Sequence, residues 1–182
     1  MCPVKLLLHV ARTHRNDCSI CVYLIKWLIL QEKLMNALLV FLHLVAAVTW
    51  MGGMGFILFA MRPAAFATLQ APARPQLILS SLQRFFPLVW ISIAAILISG
   101  LILMLQVGFA HAPIGWHVMF GIGLVMMAVF AHIFFAPYRR ARRAAAAQDW
   151  PAVGQSLEKM HPLVVLNFTL GWIAIAAVLF WH

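Results

Sequence analysis

Four stretches of this chain, at about 36–61, 86–107, 116–136 and 162–181, are long and apolar enough to cross a bilayer. Each holds about 20 residues or more, against the roughly 20 that a helix rising 1.5 Å per residue needs for a hydrocarbon core of about 30 Å. Hydrocarbon offers nothing to an open backbone amide, so only helices or a closed barrel can span it. The apolar runs are continuous and lack the alternation of a barrel strand, which leaves helix. The fold class expected is therefore all-α, a polytopic membrane four-helix bundle. Composition agrees: 65% of the 182 residues are hydrophobic and only 9% are charged, too little polar surface for a soluble domain. The formal net charge of +9 comes from cations that flank the apolar spans. They answer to anionic lipid and exclude nucleic acid as the expected partner. Pro63, Pro87, Pro113, Pro137 and Pro162 fall at or near span ends, where a missing N–H costs least.

Residues 1–34 have a different character. They hold all three cysteines, Cys2, Cys18 and Cys21, and the cations Lys5, Arg12, Arg15, Lys26 and Lys33. Their apolar patch, Ile20–Leu30, is broken by Lys26 and is too short to span. No small-x-small cleavage site follows it. The expectation is a leader outside the fold, a biological start at Met35, and a four-helix domain over 35–182. Cys18-x-x-Cys21 stands without a second pair, which makes it a weak metal signal.

Every Lys and Arg after Met35 lies in one of two loops. Arg62, Arg74 and Arg84 sit between spans one and two; Arg139, Arg140, Arg142, Arg143 and Lys159 sit between spans three and four. The loop 108–115 has none. The positive-inside rule then places loops 1 and 3 in the cytoplasm, with loop 2 and the C-terminus in the periplasm. The inner membrane of a bacterium is the expected location. The leader's cations would have to be translocated, which also favours Met35 as the start. Loop 3 is long enough for an amphipathic surface helix, and Asp149-Trp150-Pro151 reads as an interfacial anchor.

Ionisable side chains are costly in hydrocarbon, so each histidine in or beside a span marks a candidate site. His43 lies about two turns into the first span. Its face continues through Ala47, Trp50 and Met54, and Gly52, Gly53 and Gly55 form the neighbouring ridge. Small residues there admit another helix or a flat cofactor close to the backbone. His117 opens the third span at a depth similar to His43, so the two can meet across helices. His132 follows His117 by 15 residues. That is about 22 Å along a helix and about 60° around it, so these two serve separate sites. His161 opens the fourth span on the side of His132 and is the candidate partner for an inner pair. His111 and His182 fall at the outer surface. Among the methionines, Met51, Met54, Met119, Met126 and Met127 lie in spans one and three. Thioether sulfur suits Cu(I), whereas imidazole suits copper, iron or zinc, and Met54 shares the face of His43. Arg62 and Arg84 flank span ends and can either clamp an anionic group such as a haem propionate or snorkel to lipid. Asn167 is expected to hydrogen-bond between helices. All four acidic residues, Asp17, Glu32, Asp149 and Glu158, lie outside the spans, which argues against hydrolytic or phosphoryl-transfer chemistry.

The stretch Leu42-His43-Leu44-Val45-Ala46-Ala47-Val48-Thr49-Trp50-Met51-Gly52-Gly53-Met54 resembles the first helix of the CopD family, the copper-resistance D-like membrane proteins. The resemblance continues through Arg62-Pro63, Arg84-Phe85-Phe86, His117, His132 and Asp149-Trp150-Pro151. HemJ-type protoporphyrinogen oxidases, which are haem proteins, look similar at the first-helix histidine. The CopD resemblance implies copper uptake or tolerance at a bacterial inner membrane, with His43 as leading residue and Trp50, Gly52 and Gly53 as its frame. Full-length copper-resistance members are about twice as long as this single bundle. Three functions remain open. Copper handling would use His43, Met54 and His117, and would fit a periplasmic copper protein as partner. A haem b redox protein would use His43 and His117 as axial ligands and exchange electrons with quinone. A structural or assembly subunit would use its histidines for packing. The resemblance favours copper; the paired histidines and the glycines beside His43 favour haem.

Overall fold

A computed structural model describes residues 19–181, which form α1 (Ser19–Phe56), α2 (Arg62–Thr68), α3 (Ala73–Val107), α4 (Ile114–Ile133), α5 (Arg139–Ala146) and α6 (Trp150–Phe180). The π-helical turn Ile57–Met61 joins α1 to α2, and a second, Phe134–Tyr138, joins α4 to α5. The result is four long apolar helices, Val22–Thr68, Ala73–Val107, Ile114–Ala146 and Trp150–Phe180. The chain is a multi-pass all-α membrane protein, with no strand among the described residues.

The helices run well beyond the expected spans. Pro87 and Pro162 lie inside α3 and α6, and Pro63 and Pro137 lie in unbroken helical rods. Proline clashes with the carbonyl four residues back unless the helix widens or bends. At Pro63 a π-turn includes that carbonyl's residue, Phe59, and at Pro137 a π-turn begins directly after it, at Phe134; this wider turn is what accommodates the ring. The arginine run expected on a separate surface helix is instead α5, a continuation of α4. Its Ala141 is buried while Arg139, Arg140, Arg142 and Arg143 are exposed.

The chain divides into a unit that ends at Phe41 and a second that begins at Leu42, a boundary inside α1. Residues 19–34, expected to stand apart from the first span, are one helix with it. In that stretch Tyr23, Leu24, Trp27 and Leu30 are exposed. Cys2, His9, His14, Cys18 and His182 lie outside the described residues.

In the second unit, local chemistry sets the helix ends. Gly108 takes φ +85° and its N–H reaches the Met104 carbonyl at 2.9 Å, closing α3 in a conformation that favours glycine. The Asp149 side chain caps α6 by accepting the Ala152 N–H at 3.1 Å, with Pro151 in the first turn. Helices α4 and α6 pack most closely. Gly115, at the start of α4, lies against the Ala177 and Trp181 carbonyls and donates its N–H to Trp181 at 3.1 Å.

Lipid tails are as apolar as the core, so the bundle is held by shape and dispersion. Its centre is an aromatic column. Phe130 meets Trp50, Phe86 and Trp90 edge-on, with centroids 6.1, 5.2 and 5.3 Å away, and Phe86 meets Tyr138 at 4.6 Å. Edge-to-face pairs match ring edge to ring face and add to dispersion. A fully buried polar side chain ties α4 to α6. Asn167, 1% exposed, donates Nδ2–H to the Met126 carbonyl at 3.1 Å, which is the interhelical role expected of it. Asn167→Ala is expected to lower unfolding stability in detergent by about 1 kcal/mol, read from the urea or thermal midpoint. An unchanged midpoint would show that the bond adds nothing over packing.

Candidate functional site

The polar chemistry at the Gly108–Pro113 end of the bundle centres on His43. Its Nδ1 lies 2.9 Å from Ser99 Oγ, across from α1 to α3. Ser99 is fully buried, and its Oγ sits 2.5 Å from the Ala95 carbonyl and 3.3 Å from that of Ile96. A hydroxyl has one proton. At 2.5 Å from a carbonyl oxygen that proton must point at Ala95, so Ser99 Oγ accepts and His43 Nδ1–H donates. The tautomer follows from the network: Nδ1 carries the hydrogen, and Nε2 keeps its lone pair. Gly100 completes the seat. A Cβ there would come 3.2 Å from His43 Cε1, tighter than an ordinary contact, so the bare backbone is what admits the ring. Ser99 and Gly100 are site residues that sequence reasoning missed. The Ser-Gly pair inside an apolar helix, facing a histidine-bearing one, is the signal that was available.

His117 holds the opposite tautomer. Its Nε2–H donates to the Phe109 carbonyl at 3.0 Å, which fastens the start of α4 to the short 3-10 turn Phe109–His111. The two histidines thus take different hydrogen-bond partners, and only His43 has a free Nε2.

Trp50 is 3% exposed and joins the aromatic column. Met54 is buried in the same core. Gly52 is exposed, and among the described residues no heavy atom lies within 4 Å of a Cβ built on it. Gly53 is the close approach: the Phe85 ring occupies the place of its missing Cβ. Gly171 plays the same part on α6, where the Met51 thioether fills its Cβ position and Met126 Cε lies 3.3 Å from it. Met51 and Met126 therefore converge, and Met54, Met126 and Met160 all belong to one buried cluster. No group of three His, Cys, Asp or Glu side chains placed to hold a metal occurs among the described residues. Among the described residues the soft donors of the core are thioethers, and the His43 imidazole stands half-buried beside Ser99.

The other candidates lie at the opposite end. His132 is exposed on the outside of α4. His161 is half-buried and lines a cleft of about 360 Å³ together with Arg62. His132 is not among the residues of that cleft, so the structure does not bring the inner pair together there. Arg84, expected with Arg62 to flank the span ends, is exposed and does not line that cleft, whereas Arg74 does.

The family described as CopD, Copper resistance protein D, matches residues 79–181, just over half of the chain. The matched segment contains Ser99, Gly100, Met126, Asn167 and Gly171, and leaves out His43. No curated protein and no solved structure matches.

Proposed function

Since the chain belongs to the copper resistance protein D family, we propose that it handles copper within the bilayer, with His43 as the leading donor. Copper here is cargo. His43 Nε2 takes the ion, and the thioethers of Met51, Met54 and Met126 are the soft donors that follow it into the core. The donor set suits Cu(I), for which imidazole and thioether are both good ligands. The observation that carries this reading is the seat of His43. A buried serine fixes the ring through Nδ1, as outer-shell partners of metal-binding histidines do, and leaves Nε2 free. A bis-imidazole haem would need Nε2 of His117 as well, and that nitrogen is spent on Phe109. Copper bound per protein in the wild type, His43→Ala and Ser99→Ala is the direct test. Loss of copper from both variants is expected, and an intense Soret band in the wild type would replace copper with haem.

The positive-inside rule supports an orientation with the Gly108–Pro113 loop outward and the arginine-bearing ends inward, so that His43 faces the periplasmic half of an inner membrane. Cysteine placed at Ala112 is expected to react with an impermeant thiol reagent in intact cells, and cysteine at Ala145 only after permeabilisation. The reverse labelling would invert the orientation and make His43 a cytoplasmic-side donor.

A further inference from the structure

We infer that the cleft between α2, α3 and α6 is a binding site for the phosphodiester head and proximal acyl chain of an anionic phospholipid. It is independent of copper handling and lies at the other end of the bundle.

The cleft is amphiphilic along its length. At its mouth the Arg62 and Arg74 guanidiniums both lie on the Phe66 ring, 4.8 and 4.5 Å from its centroid. Arg74 is further fixed by its Nε–H, which donates to the Leu69 carbonyl at 2.9 Å. Both arginines are half-buried. Two like charges held within reach of one ring repel each other, and an anion at the mouth of the cleft relieves that cost. Below the mouth the walls turn apolar, through Ile78, Leu82, Phe86, Leu157 and Val164. One carboxylate, Glu158, stands at the exposed rim against the two guanidiniums, so the site favours an anion. The volume of about 360 Å³ admits part of a chain and a head, not a whole lipid.

Depth agrees. Helix α3 has 35 residues, but about 20 cross the hydrocarbon. Counted back from Val107, its first turns rise out of the apolar layer. That puts Phe86 at the hydrocarbon boundary and Arg74, about 18 Å further along the helix, on its aqueous side. Trp150, an aromatic of the kind that settles at that boundary, lines the same cleft. The π-turn Ile57–Met61 widens the helix beside it, and Ile57 and Leu58 form part of the wall.

The site is distinct from the general basic surface. The arginines of α5 are exposed and do not line the cleft. They supply the control.

The experiment is native mass spectrometry on the full chain, delipidated in detergent and titrated with phosphatidylglycerol, phosphatidylethanolamine or phosphatidylcholine. One phosphatidylglycerol is expected to bind in preference to the other two. Arg62→Gln with Arg74→Gln should weaken that binding by about fivefold for each guanidinium removed. The fourfold Arg→Gln variant of α5 should keep the preference, and Glu158→Gln should strengthen it. Gly154→Leu gives an arm that leaves the charges alone. A Cβ at Gly154 meets nothing within 4 Å, so the side chain enters the open cleft without displacing a helix. It should expel the lipid while the protein stays folded. Inorganic phosphate in millimolar excess should not displace phosphatidylglycerol; displacement would mean that the mouth binds free phosphate and the apolar walls add nothing. Equal binding of the three lipids by the wild type, or a preference that survives Gly154→Leu, would overturn the proposal.

Discussion

His43→Ala protein is expected to hold copper at background level after loading with Cu(I). The physical reason is the scarcity of alternatives. Among the described residues, His43 is the one imidazole of the Gly108–Pro113 end whose Nε2 is free and whose ring is seated by a buried partner. Without His43 the proposed set keeps only its thioethers and loses its one nitrogen donor, the one that meets the ion first. Ser99→Ala should act through the ring. It deletes the acceptor that fixes Nδ1, and outer-shell losses of this type cost about 10- to 100-fold in metal affinity. Gly100→Ala should have a similar sign, because its Cβ would press on His43 Cε1. His117→Ala should cost less copper and more order in the loop, since its bond is to the Phe109 carbonyl. The measurement is copper per protein by elemental analysis after reduction and loading with Cu(I), beside a thermal midpoint for each variant. Full copper content in His43→Ala would end the copper reading of this histidine. Full content in Ser99→Ala with an intact His43 would remove the tautomer argument.

Gly115→Val is expected to be the most damaging single change to the bundle itself. The two atoms that face Gly115 are backbone carbonyl oxygens, those of Ala177 and Trp181, and backbone cannot swing aside as a side chain can. A valine there would force the start of α4 away from the end of α6. The Gly115 N–H bond to Trp181 would break with it. Overpacking of this sort costs about 1–3 kcal/mol, and an unmade bond at a helix start adds to it. Because α4 and α6 are the most closely packed pair, the loss should appear as a lower unfolding midpoint of the whole protein. Gly121→Ala is the control on the same helix, since a Cβ there meets nothing within 4 Å. Equal midpoints for Gly115→Val and Gly121→Ala would show that the α4–α6 contact is slack.

The sequence by itself determined the solvent and the class of fold. Hydropathy over about 20 residues is a local property, and in lipid the backbone has no option but helix, so four spans and an all-α bundle could be read directly. The start of α6 was not read as one: Asp149-Trp150-Pro151 was expected as an interfacial anchor and the fourth span from Pro162, although Asp149 and Pro151 do their capping within one turn of themselves. His43 stood out because a histidine in hydrocarbon needs an account. What it bonds to was not legible. Ser99 and Gly100 lie 56 and 57 positions away, and nothing local links them to it. Helix length was misjudged at Pro87, Pro137 and Pro162, because a missing N–H is tolerable when a π-turn or a neighbouring helix takes up the freed backbone. The pairing of Arg62 with Arg74 in place of Arg84 was settled by the fold of α2 back onto α3, which brings both guanidiniums to Phe66. In a soluble protein an apolar stripe marks the face that turns inward. Here both core and lipid are apolar, so the helices carry little such stripe, and which face meets which neighbour is decided by the fit of Gly53 under Phe85, Gly171 under Met51 and Gly115 under two carbonyls.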